Sequence, residues 1–312
     1  MMARPRWRVG ATAVLIALLG TVAYADSPSM PHAAAATSAP AAGADAARSP
    51  FRAARVPWQT LRYGASKLFV RATVEVELRW RPAAGIDLLP VANGAPRQPP
   101  GPRVGELTYR SSMLGRREHE TLAFVPGSGV TLQRSKIAVG RYAKVERYAD
   151  AQVRVLRYKP ASGLPADDAS DWPLEKERFR ALPTAARSAL APGVLLYAVA
   201  AAPLDRIGDR AALAVYDDTL GMLDLEVLPQ ADGLEVETVH IAGQPPRPPG
   251  EVLRIAVRPR GTPFEFLGLR GDLTLWLEAD TRLPLQIDGD AQLIGALAVK
   301  LEDAQLAPGA SA

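Results

Sequence analysis

Apolar and polar residues alternate with a period of two along most of this chain, from Trp58 to Leu306, and that period makes the building block a strand exposed on one side. In residues 73–80, Val74, Val76, Leu78 and Trp80 fall on one face and Glu75, Glu77 and Arg79 on the other, as a half-buried strand requires. The same reading predicts strands at 106–112, 118–125, 131–138, 142–148, 152–158, 211–217, 222–228, 234–241, 252–258, 272–278, 285–288 and 295–303. Turn residues separate many of them: Pro126-Gly127-Ser128-Gly129, Asp217-Asp218 with Gly221, and Ala279-Asp280. One-sided strands joined in this way imply a long antiparallel meander.

Residues 172–202 break the period. Their second half, through Gly193-Val194-Leu195-Leu196-Tyr197-Ala198-Val199, predicts a short apolar helix over 190–199, closed by Pro203. Such a helix cannot sit in water, and a curved sheet with one apolar face is its natural partner. The expected fold is therefore mainly β: one large curved antiparallel sheet or partly open β-barrel, with the short helix on its concave face. About 250 residues suit a single β-rich domain, placed at 51–306, with 307–312 a disordered tail. The Pro-rich stretches 97–103 and 244–250 read as long hairpin loops.

The N-terminus points to export. Arg4, Arg6 and Arg8 precede an apolar run from Val9 to Val22 that ends at Ala23-Tyr24-Ala25, the pattern of a secretory signal peptide over residues 1–25 cleaved near Ala25. Cleavage would leave no transmembrane helix, and the expected location is the periplasm. Residues 26–50 are small and Pro-broken and cannot bury enough apolar surface to offset their ordering entropy, so they read as a disordered spacer. The signal holds three arginines and no acidic residue; without it 34 basic residues face 33 acidic ones, and nothing suggests a nucleic-acid surface. The chain has no cysteine, which removes thiol nucleophiles, disulfides, zinc–thiolate sites and iron–sulfur clusters.

From the helix onward, Asp205-Arg206-Ile207-Gly208-Asp209 leads into a strand and Glu237-Thr238-Val239 sits in a hairpin. Gly271-Asp272-Leu273-Thr274-Leu275-Trp276-Leu277 is then followed by Arg282-Leu283-Pro284-Leu285-Gln286-Ile287 and a last strand over 297–301. This order resembles the exported bacterial family known as domain of unknown function 3108, in which a strand ending in Trp-Leu is followed by a turn, an Arg-Leu-Pro motif and a final strand pair. The resemblance covers residues 61–306 and is best in the C-terminal third. It implies a curved sheet similar in shape to periplasmic lipoprotein carriers, and no activity.

Residues suited to catalysis are sparse. Of three histidines, His32 lies in the spacer; His119 sits in Arg116-Arg117-Glu118-His119-Glu120, where alternation points both glutamates away from it; and His240 shares a predicted strand face with Leu234, Val236 and Thr238. Asp167-Asp168, Asp217-Asp218 and the trio Asp280, Asp288 and Asp290 fall in predicted turns, where aspartate bonds its own backbone. No nucleophile elbow, phosphate-binding loop or His-Glu-x-x-His pattern occurs. No catalytic residue, metal site or cofactor is expected. Trp276, alternating onto the face of Thr274 and Glu278, reads as an edge contact or part of a partner surface.

A binding protein fits the pattern better. If one helix does not fill the concavity, the remainder is an apolar pocket, with Val76, Leu78, Phe124, Leu195, Leu275 and Leu277 as its expected ligand-binding residues. The first expectation is a non-enzymatic carrier of a lipid or other hydrophobic molecule. An envelope structural or protein-interaction module with a protein partner is the alternative, and an envelope hydrolase comes third.

Overall fold

The structure, a computed structural model, describes residues 50–67, 70–90, 97–113, 115–261, 264–292 and 294–308. The expected signal peptide and the spacer up to residue 49 lie outside them. Among the described residues fifteen strands form one antiparallel sheet: β1 (Trp58–Lys67), β2 (Val70–Pro82), β3 (Arg103–Met113), β4 (Arg116–Phe124), β5 (Thr131–Ala138), β6 (Tyr142–Tyr148), β7 (Gln152–Tyr158), β8 (Leu174–Ala181), β9 (Arg210–Asp217), β10 (Thr219–Leu228), β11 (Val252–Arg260), β12 (Glu265–Phe266), β13 (Leu269–Glu278), β14 (Pro284–Ala291) and β15 (Gly295–Leu306). The order across the sheet is 8-7-6-5-4-3-2-1-15-14-13-11-10-9, with the short β12 on β13. The sheet does not close: β8 ends it on one side and β9 on the other.

The alternation does what it predicts: Val74, Val76 and Leu78 are buried, while Glu75, Glu77 and Arg79 face Arg62, Arg81, Arg110 and Glu106 on a solvated outer face. The inner faces of both halves converge on one core. It includes Leu61, Leu107 and Leu122 from one half, Leu225, Ile255, Leu275 and Ile287 from the other, and every residue of the one helix, α1 (Leu195–Ala201).

Strands β5, β6 and β7 match the expected spans residue for residue, and most others differ only at their ends. Strands β1 and β12 lie outside every expected span, and three further elements differ from the expectation. Strand β8 forms in the segment that breaks the period, because as an outermost strand it is mostly exposed and its inward row is made of cations, so it needs no apolar row. Residues 234–241 form no strand, only bridges from Val239 to Arg247 and from Ile241 to Ala304, and they bury Val236, Val239 and Ile241 in the main core. The helix starts later than expected, since Pro192 and Gly193 make a 3-10 turn over Pro192–Val194 first; it ends before Pro203 as predicted.

Candidate functional site

Helix α1 is apolar all round and fully buried, so all of its terminal backbone groups must find partners inside the protein. At its start the Ala191 amide donates to the Thr131 hydroxyl at 2.8 Å. At its end the Ala202 amide takes the Ala198 carbonyl, and the Arg52 amide takes that of Ala201, both at 2.9 Å. Arg282, 2% exposed, supplies the rest: its guanidinium donates to the carbonyls of Val199, Ala200, Ala202 and Leu204 at 2.9–3.2 Å. This is the arginine of the Arg-Leu-Pro motif. It occupies the left-handed region at φ 54° in the tight β13–β14 turn, which aims its side chain at the helix end. Burial, with repulsion from Arg55, lowers its pKa to about 10, and Asp205 at 3.5 Å partly offsets this.

The six expected ligand-binding residues are brought together around this helix. Val76 and Leu78 come from β2, Phe124 from β4, Leu195 from α1, and Leu275 and Leu277 from β13; each is at most 2% exposed. Phe124 packs on Tyr197 in a tilted pair with ring centres 4.6 Å apart, and Phe51 and Trp80 meet the same ring edge-on at 6.2 and 6.0 Å. The helix therefore sits where a hydrophobic cargo would have to lie.

Toward the open side of the sheet the same inner face turns charged. Arg134 on β5 reaches Glu120 on β4 and Asp217 at the β9–β10 turn, each at 2.7 Å, and Glu146 on β6 at 3.7 Å. Glu146, 3% exposed at its side chain, also takes Lys144 at 2.9 Å and Arg180 on β8 at 2.5 Å. Arg180 and Lys144 pair in turn with Asp218. Burial alone would lower the Arg134 pKa; the carboxylates of Glu120, Asp217 and Glu146 outweigh it and hold it well above the ordinary value. These ion pairs tie the two ends of the sheet together where no strand-to-strand ladder does. Beside them Tyr148 meets Tyr216 edge-on at 6.4 Å, within a second apolar cluster of Val153, Val155, Leu182, Ala186 and Ala189. The chain running into α1 covers β9: Leu190 bridges Val215 through the Leu190 amide to the Ala214 carbonyl at 3.0 Å and the Tyr216 amide to the Leu190 carbonyl at 2.9 Å. No such cover lies on β8 among the described residues.

The remaining candidates from the sequence do not converge. His119 is half-buried between Arg110 and Ile137 in the register, and His240 is exposed rather than on a buried strand face. Asp168 accepts the Ser170 amide at 2.9 Å in an exposed turn. Asp288 and Asp290, with Asp272 and Glu235, line an open groove of about 380 Å³; Lys300 pairs with Glu235 at 2.7 Å, and Asp288 takes the Trp276 indole N–H at 2.6 Å and Gln286 at 2.8 Å. Trp276 is buried beneath residues 233–236, so it is no partner surface: Gln286 donates to the Gly233 carbonyl at 2.8 Å and accepts the Glu235 amide at 2.7 Å. Among the described residues no three metal-ligating side chains meet, and no helix is long and apolar enough to cross a membrane.

Sequence reasoning missed the buried charges. Arg147 donates to the carbonyls of Leu89, Leu132, Tyr148 and Arg97 at 2.7–3.1 Å, and Arg97 in turn to those of Thr131 and Ala186 at 3.0 and 3.3 Å, which pins the β2–β3 connection to the sheet. Glu278, 1% exposed, takes Arg247 in a bidentate pair at 2.6 and 2.9 Å and the Gly250 amide at 2.8 Å, which pins the second Pro-rich loop. Only Arg282 carried a readable signal, through its motif. Comparison with family models, with curated proteins and with solved structures gave no match, so no relative lends this chain an activity.

Proposed function

We propose that this chain is an exported interaction module of the cell envelope, which recruits a partner protein through the open edge of its sheet. In this reading residues 1–25 are a cleaved signal peptide, the location is periplasmic, and the family resembled is the one it belongs to. The observation that carries it is the difference between the two edges: β9 is covered by the chain's own residue Leu190, whereas β8 ends the sheet over eight residues. A strand left at an edge presents unpaired amides and carbonyls and is a template for another chain. Leu174 and Phe179 on that strand are 50% and 42% exposed.

A carrier of a lipid or other hydrophobic molecule is the second reading, which rests on the gathering of the six expected apolar residues and has the buried helix α1 in the place of a cargo against it. Native mass spectrometry of the mature protein, purified gently from its own envelope, separates the two. The interaction reading expects a bound protein that is lost in Leu174→Glu/Phe179→Glu; the carrier reading expects a stoichiometric small hydrophobic adduct that this variant retains. A bare monomer in both samples would overturn the proposal.

A further inference from the structure

The chemistry of β8 narrows the class of partner, on the reading that its edge is the docking site. Register on β7 sorts its side chains into two rows. Lys176, Arg178 and Arg180 stand opposite Arg157, Val155 and Val153, on the side of the buried Val153 and Val155; Glu177 and Phe179 stand opposite Leu156 and Arg154 on the other. These three are all cations; Arg180 at one end is already paired with Glu146 and Asp218, and Lys176 and Arg178 lie toward the start of the strand. Among the described residues no carboxylate lies within ion-pair distance of Lys176, and the next cation of this face, Arg157, pairs with Glu175 at 3.0 Å.

A second copy of this chain is a poor occupant. Residues directly opposite in an antiparallel pair share a face, so two β8 strands paired about a two-fold axis at Arg178 would set the Lys176–Arg178–Arg180 row against itself, with Arg178 facing its own copy. Like charges directly opposite are destabilising. An unlike strand with carboxylates at every second position meets the cationic row favourably and leaves its other row against Glu177 and Phe179. Of the four large apolar side chains exposed among the described residues, two, Leu174 and Phe179, lie on this strand, where a docked segment would cover them.

We infer that β8 takes an extended acidic segment of a different protein, which adds as a further strand with its carboxylates over Lys176 and Arg178. Charge gives the register and steers the encounter, and the main chain gives the affinity. The test is fluorescence anisotropy on the mature chain with three labelled peptides: alternating Glu-Val, alternating Lys-Val, and the Glu-Val sequence N-methylated at every residue so that neither edge can pair. The expected result is binding of the first alone, weakened by salt, and reduced about tenfold or more, the equivalent of about 1.4 kcal/mol, in Lys176→Glu/Arg178→Glu. Equal binding of the Lys-Val peptide, unchanged binding of the N-methylated one, no effect of the double substitution, or a dimer of this chain formed through β8 would each overturn the inference. If no peptide binds while a protein complex still depends on Leu174 and Phe179, the acidic partner is wrong and the interaction module stands. If that complex is missing as well, both fail.

Discussion

Replacing Arg282 by methionine keeps most of the aliphatic volume and removes its guanidinium donors from the end of α1, leaving the Arg52 amide on the Ala201 carbonyl and Arg55 on that of Ala202. Four carbonyls, of Val199, Ala200, Ala202 and Leu204, then lose a charged partner inside the core. At roughly 1.5 kcal/mol for each hydrogen bond to a charged group the loss is about 6 kcal/mol. Against it stands the cost of holding the guanidinium in the interior: burial and Arg55 pull its pKa down to about 10, a penalty of roughly 3 kcal/mol that methionine does not carry. The expected net destabilisation is about 3 kcal/mol, a large share of the 5–15 kcal/mol typical of a whole domain. Urea unfolding followed by tryptophan fluorescence measures it. Arg282→Lys should lose nearly as much, since one ammonium cannot bridge four carbonyls spread over a helix end. A loss under about 1 kcal/mol in both variants would refute the claim that this arginine secures the helix.

Glu146→Gln should destabilise by about 3 kcal/mol, because it leaves Arg134, Arg180 and Lys144 short of a nearly buried carboxylate; a stability within about 0.5 kcal/mol of the parent would show the ion pairs at the seam to be idle. Gly105→Ala should cost about 1–3 kcal/mol by overpacking, since a Cβ there overlaps the Phe124 ring; thermal melting tests it. At Glu278 burial alone would raise the pKa, but Arg247, the Gly250 amide and Thr281 outweigh it and hold it below the ordinary carboxylate value. Its contribution is thus present above the unfolded value and is lost as pH falls through the folded one, and Glu278→Gln should flatten the decline in stability below about pH 4.5.

The strands could be read from the sequence because a half-buried strand writes its environment in alternation, as at Val74, Val76 and Leu78. The helix could be read because a run such as Leu195–Ala201 has no place except an interior. Strand β8 escaped for the opposite reason: it is mostly exposed and its half-buried positions are the arginines Arg178 and Arg180, so Leu174–Ala181 carries no apolar row. The covering of Trp276 by residues 233–236 escaped because alternation assigns a face without saying what lies on it. Buried charge was least legible of all. Arg147 and Glu146 are neighbours on β6 and are both nearly buried, one against carbonyls on the outer face and the other against arginines on the inner, and nothing local marks either as interior. The apolar residues expected around a ligand do lie together, but a sequence cannot weigh the volume of one helix against the concavity it enters.

The central claim is that the open edge at β8 is where this protein works. Its most direct test is photocrosslinking in living cells, with a photoreactive residue in turn at Leu174, Phe179, Met113 and Ile207, the four exposed large apolar positions among the described residues. The account predicts one protein partner captured from Leu174 and Phe179 and absent from Met113 and Ile207. The same partner captured equally from all four positions, or none from Phe179, would contradict it.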